Sequence, residues 1–157
     1  MLTVAEIMTR EPYTLGPDDS LANARQLMAE HHIRHIPIVS PEGSLIGVVT
    51  QRDVLAAGGA GPAARDEDTN AAKETVPLSS IMTTPVQSVD EQAGLRGTAI
   101  HLQKNRLGCL PVLRNDQLVG IITDSDFIAI AITLREQIEC AEPDGYDFDE
   151  EVEDDFS

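Results

Sequence analysis

With 157 residues, 41% of them hydrophobic, the chain is long enough for one compact domain or for two small repeats that share a core. Its formal charge is −16, and nine acidic residues with no lysine or arginine lie in residues 142–157. The rest carries no basic stripe either, which argues against nucleic acid as a partner.

The opening MLTVAEIMTR has no basic flank before a long apolar stretch, and no window reaches the ~18 continuous apolar residues of a membrane span. A cytoplasmic protein with no membrane partner is expected. Residues 13–15 read as a short strand, and Asp18, Asp19 or Ser20 can cap a helix whose Leu21, Ala24, Leu27 and Met28 fall on one face. Residues 36–39 and 45–49 then form a hairpin around Ser40-Pro41-Glu42-Gly43. Neither strand alternates with polar residues, so both faces should be buried. The stretch Gly47-Val48-Val49-Thr50-Gln51-Arg52-Asp53 turns from that hairpin into a second helix. Residues 58–75 contain no large apolar side chain and read as a linker.

The same order then repeats. Ile7-Met8-Thr9 recurs as Ile81-Met82-Thr83, 74 positions on, and residues 33–39 (IRHIPIV) answer 107–113 (LGCLPVL) at the same offset. A helix is expected over about 90–104, weakened by Gly94 and Gly97 at up to ~1 kcal/mol each. The second hairpin turns at Arg114-Asn115-Asp116-Gln117, and Gly120-Ile121-Ile122-Thr123-Asp124-Ser125-Asp126 repeats the strand-to-helix turn 73 positions after the first. The apolar run 127–134 is long enough for a helix packed on the body, and the acidic tail beyond 142 should be disordered. The expected organisation is a first repeat in 1–57, a linker in 58–77, a second repeat in 78–135 and a tail in 136–157. Each repeat reads strand, helix, strand, strand, helix, an α/β (α+β) fold.

The doubled Gly-h-h-Thr-x-x-Asp has two readings. Thr-x-x-Asp matches a capping box, in which Thr caps the helix start and the acid three residues on answers it. The same atoms suit a nucleotide: glycine admits close approach, the helix start favours an anion, and an acceptor-only carboxylate can take hydrogen bonds from both hydroxyls of a ribose. One copy alone favours capping. The duplication shifts the balance toward binding.

The ordered set of Ile-Met-Thr, the Pro of His35-Ile36-Pro37-Ile38-Val39, and the closing Gly-h-h-Thr-x-x-Asp, all in duplicate over residues 4–131, resembles the paired CBS domain, or Bateman module. The resemblance implies a pseudo-symmetric pair of βαββα repeats, usually a homodimer, that binds adenine nucleotides or related adenosyl ligands in clefts between repeats. It implies a first cleft of Val48, Thr50, Arg52 and Asp53, with Met82, Val86, Leu107 and Gly108 against the base. The second would use Ile121, Thr123, Ser125 and Asp126, with Met8, Tyr13, Ile33 and Arg34, and Arg34 and His35 fall where relatives approach phosphate. Singly, each apolar member reads better as plain core. Arg52 favours phosphorylated ligands in the first cleft. Asp124 in the second fits either a magnesium-bound nucleotide or an empty cleft.

The remaining candidates are weaker. Cys109 lies in an apolar run and Cys140 is far from it, so both read as reduced thiols. His31 and His32 are adjacent, point to different helix faces and, with His35, complete no zinc spacing. No Gly-x-Ser-x-Gly or Walker loop is present, so no enzyme is expected and no cofactor is required. Three of the five aromatic residues, Tyr146, Phe148 and Phe156, sit among the acids of the tail, which reads equally as a docking segment for a protein partner or as a solubilising tail. The sequence thus points to a stand-alone regulatory nucleotide sensor. The alternative is a constitutive dimerisation adaptor whose turns are only caps.

Overall fold

The computed structural model describes residues 2–58 and 74–141. The first element, α1 (Val4–Ile7), is followed by a two-residue strand, β1 (Thr9–Arg10). The amphipathic stretch after residue 20 forms α2 (Leu21–His31), capped by Ser20, whose Oγ accepts from the Asn23 N–H at 3.2 Å. It stops at His32, which adopts the left-handed conformation with φ 54°. Strands β2 (His35–Val39) and β3 (Leu45–Thr50) pair antiparallel and lead into α3 (Gln51–Ala57). A 3-10 turn at Leu78–Ser80 opens the second half. It continues through β4 (Val89–Asp90), α4 (Leu95–Asn105), β5 (Cys109–Arg114), β6 (Gln117–Thr123) and α5 (Asp124–Ala141).

Two elements depart from expectation. The strand expected at 13–15 shrinks to one parallel bridge, Leu15 with Ile38, the counterpart of the two-pair β4–β5 ladder. Gly16 bends back, donating to Asp19 Oδ2 at 2.7 Å, and Pro17 has no N–H to extend a ladder. The helix expected from residue 90 starts five residues late. Val89 and Asp90 are committed to β5, and Asp90 Oδ1 then accepts from the Gln92 N–H at 2.8 Å, closing a turn. Gly94 therefore serves as the N-cap of α4, and only Gly97 lies inside it.

The leading segments of the repeats are exchanged. Val4 and Ala5 donate to the Ala93 and Glu91 carbonyls of the second repeat, both at 2.9 Å, and β1 adds to β6. Reciprocally, Leu21 donates to the Val76 carbonyl at 3.0 Å, Leu78 donates to that of Asp19 at 2.8 Å, and Thr83 bridges Val48 of β3. The result is a four-stranded sheet, β1-β6-β5-β4, and a two-stranded sheet, β2-β3. One core joins Leu21, Ala24, Met28, Ile36, Ile38, Val49 and Val54 to Leu78 from the second half. A smaller cluster gathers Val48, Cys109 and Ile121 around the pseudo-equivalent strands. Close approach explains the repeated glycines: a Cβ at Gly47 would come within 2.6 Å of Met82 Sδ, and one at Gly120 within 2.9 Å of the Thr9 carbonyl and 3.0 Å of Met8 Cγ.

The chain divides into two compact units, Met1–Asp124 and Ser125–Ser157. The described part of the second is the body of α5, which leaves Ile128, Ile132, Leu134 and Ile138 at 61%, 56%, 50% and 60% exposure. Among the described residues, no helix is long and apolar enough to cross a membrane. Most of the expected linker, and the tail beyond 142, lie outside the described residues.

Candidate functional site

The first repeated turn is ordered by its own capping box. Thr50, extended at φ −104° and ψ 162°, accepts the Asp53 N–H on Oγ1 at 3.2 Å, and Asp53 Oδ2 accepts the Thr50 N–H at 2.9 Å. The carboxylate has a second neighbour. Thr83 Oγ1, from the other repeat, donates to the same Oδ2 at 3.4 Å. Asp53 is half-buried, and among the described residues its Oδ1 accepts no hydrogen bond. The turn is also tied to the entry of β2, because Gln51 donates to the Arg34 carbonyl at 2.8 Å.

Around this turn the structure gathers most of the residues expected in a first cleft. Val48 is buried beside Cys109 and Ile121, with Val86 packed on the same cluster. Met82 covers Gly47, and half-buried His35 lies opposite Thr50 in the β2–β3 ladder. A Cβ on Gly108 would come 2.7 Å from His35 Nε2, so the glycine is what admits the imidazole between the repeats. Arg34 and Arg52 are exposed, and Leu107 is half-buried at the end of α4, its N–H donating to the Leu102 carbonyl at 3.0 Å.

The second set is arranged differently. Met8 is buried on Gly120, Ile121 is buried, and Thr123 is half-buried opposite Cys109. The Ile33 side chain packs against the core of the first repeat. The Tyr13 ring stacks on His31, with centroids 3.9 Å apart and planes 16° from parallel. Ser125 and Asp126 sit in the first turn of α5, in the second unit.

Sequence reading missed Thr83 as a neighbour of the Asp53 turn, although the repeated Ile-Met-Thr that contains it was in plain view. Its signal is positional. Thr83 opposes Val48 just as Thr9 opposes Ile121, and Val48 and Ile121 begin the stretches that reach the two turns.

Burial lowers the His35 pKa. Asp124 opposes that shift and Arg34 adds to it. The imidazole is therefore held neutral below the pH at which the unfolded chain takes up a proton. Between the lowered value and ~6.5, the unfolded state binds more protons, so stability falls as pH drops through that window. Melting temperature should decline from about pH 7.5 to pH 5.5, and the decline should be shallower in His35→Gln.

Cys109 is pushed up to about 12, chiefly by burial and then by Asp124, whereas Cys140 is exposed. Alkylation of the folded protein at neutral pH should modify Cys140 and spare Cys109, with both reacting in denaturant; peptide mass spectrometry reads this directly.

Comparison with known proteins converges on the same architecture. A model of the CBS domain matches residues 4–59 and 78–132. A Vibrio cholerae protein assigned to acetoin utilization, AcuB, is 46% identical; the match covers 88% of this chain and 96% of that one with a TM-score of 0.75. The CBS domain pair of protein MJ0100, crystallised with 5′-methylthioadenosine and S-adenosyl-L-methionine, is 26% identical; there the coverage is 83% and 95%, with a TM-score of 0.69. A homoserine O-acetyltransferase of Methanocorpusculum labreanum is 29% identical over 85% of this chain, which spans 25% of that enzyme. Across four curated relatives, that enzyme among them, the chain spans between 22% and 42% of their length.

Proposed function

The chain belongs to the CBS domain family, and from that premise we propose that it is a regulatory module that binds an adenosyl ligand, such as AMP, ADP, ATP or S-adenosylmethionine, without turning it over. The supporting observation is the Asp53 carboxylate. It is anchored at a helix start through Oδ2 while Oδ1 accepts no hydrogen bond among the described residues, the arrangement a ribose diol requires. The adenosyl ligands of the MJ0100 pair support the class of molecule. Arg52, exposed on the same turn, and Arg34 at the entry of β2 complement a phosphate.

Ligand held by residues from both repeats would fasten them together, and a partner that binds the two states unequally would read occupancy. The likeness to the Vibrio protein supports acetoin utilization as the process served, and the work would be done in the cytoplasm. Loss of the gene should then alter growth on acetoin and leave growth on glucose unchanged.

The first test is a melting-temperature screen with AMP, ATP and S-adenosylmethionine. A ligand at 100 times its Kd stabilises by ~2.7 kcal/mol, and chromatography of the incubated ligand should show no product. An adaptor with no ligand would show no shift with any of them.

The working unit in this proposal is a homodimer. The row of exposed apolar side chains on α5 needs cover in water. Light scattering at tens of micromolar should return twice the chain mass, and a stable monomer would contradict the assembly.

A further inference from the structure

We propose that the junction between the two repeats is proton-sensitive, parting locally when His35, wedged against the backbone of Gly108, takes up a proton. The device needs no ligand, so it is independent of the function proposed above.

The junction is built from equivalent pieces of the repeats. Gln51 donates to the Arg34 carbonyl at 2.8 Å and Asp124 to that of Gly108 at 3.1 Å, while His35 pairs with Thr50 and Cys109 with Thr123. The side chains break the symmetry. Arg34-His35 on one side is answered by Gly108-Cys109 on the other, 74 positions on. A Cβ at Gly108 would lie 2.7 Å from His35 Nε2 and 3.3 Å from Cε1, so the imidazole of one repeat fills the space a side chain would need in the other. Next to it, Cys109 is buried against Val48 of the first repeat and Ile121 and Val86 of its own.

A proton arriving at this ring meets poor company. Burial opposes the charge most, Asp124 favours it, and Arg34 opposes it. Among the described residues no carboxylate forms an ion pair with the imidazole. On the adjoining turn Arg52 is exposed and the Asp53 carboxylate is engaged with Thr50 and Thr83, while the Cys109 thiol, pushed up to about 12, stays neutral. An imidazolium therefore costs most in the closed junction and least where water reaches the ring. Between the lowered value of the closed form and the ~6.5 of an exposed imidazole, the open form binds more protons and gains population as pH falls. The exchanged leading segments still tie the repeats together, which makes the change a local parting and not a dissociation.

Cys109 reports the parting, because Val48 of the other repeat helps to cover it, and exposed Cys140 serves as internal standard. The test labels the full chain with 4,4′-dithiodipyridine, a disulfide that exchanges with thiols into the acidic range, at a temperature well below melting. Peptide mass spectrometry then gives the ratio of Cys109 to Cys140 labelling rates. In wild type that ratio should rise about 3- to 10-fold from pH 7.5 to pH 5.5, the upper figure being the ceiling for one exposed imidazole. The helix signal in circular dichroism should hold steady over the same range. His35→Gln should keep the ratio flat. Arg34→Gln, which removes the opposing charge from an exposed position, lets the closed junction tolerate the proton and should reduce the rise without abolishing it. A wild-type ratio that ignores pH overturns the proposal, and so does an equal rise in His35→Gln. A rise that appears only as the helix signal is lost marks global unfolding and overturns it too. If His35→Gln does not fold, an undiminished rise in Arg34→Gln is the overturning result.

Discussion

Asp53→Ala is expected to weaken adenosyl ligands roughly 10- to 150-fold, the equivalent of losing charge-assisted hydrogen bonds worth ~1.5 to 3 kcal/mol. The same carboxylate closes a capping box with Thr50, so a stability loss of ~0.5 to 2 kcal/mol should accompany the change. The two roles separate experimentally. A capping role alone lowers melting temperature and leaves affinity on folded protein untouched, whereas a binding role moves affinity at temperatures where both proteins are folded. Asp126→Ala provides the contrast. Its turn carries Ser125 where the first carries Arg52, so phosphorylated ligands should suffer less from its loss.

Gly120→Ala should be the most damaging of three glycine-to-alanine changes. The added Cβ would meet Met8 and, at 2.9 Å, the Thr9 carbonyl, which is backbone of the strand paired to β6 and cannot swing aside. Overpacking of this kind costs ~1 to 3 kcal/mol. Gly47→Ala meets only the Met82 side chain, including its Cβ at 3.2 Å, so partial relief by a rotamer change should leave it milder. Gly97→Ala should go the other way. It sits inside α4 with nothing within 4 Å of the new atom, and alanine should stabilise the helix by ~0.5 to 1 kcal/mol. Urea denaturation of the three variants checks the order. A Gly120→Ala protein as stable as wild type would show that the exchanged β1 does not hold its place.

Much of this was legible in the sequence because duplication made each motif its own control. Ser20 as a cap, the hairpin of β2 and β3, and the paired strand-to-helix turns follow from residue type and period. The start of α4 was not. Sequence periodicity cannot see that Val89 and Asp90 are claimed by β5, a pairing that reaches across more than twenty residues. The exchange of leading segments was hidden for a related reason. Ile-Met-Thr looks like the first piece of its own repeat, yet its threonine pairs with a strand of the other one. That exchange is also why Asp53 was readable as a candidate site residue and its neighbour Thr83 was not. The carboxylate lies inside the turn motif, while its hydroxyl neighbour arrives from 30 residues away. Tyr13 and Ile33 make contacts that residue type does not announce: the ring of one stacks on His31 and the side chain of the other packs against the core.

The central claim is that a folded chain takes up an adenosyl ligand at the Thr50–Asp53 turn. The most direct measurement is a calorimetric titration of wild type and Asp53→Ala with AMP and S-adenosylmethionine, each protein shown to be folded by its melting transition. Saturable binding to wild type, weakened at least 10-fold in Asp53→Ala, is the predicted result. No heat with either ligand at millimolar concentration, or equal affinity of the two proteins, would contradict it.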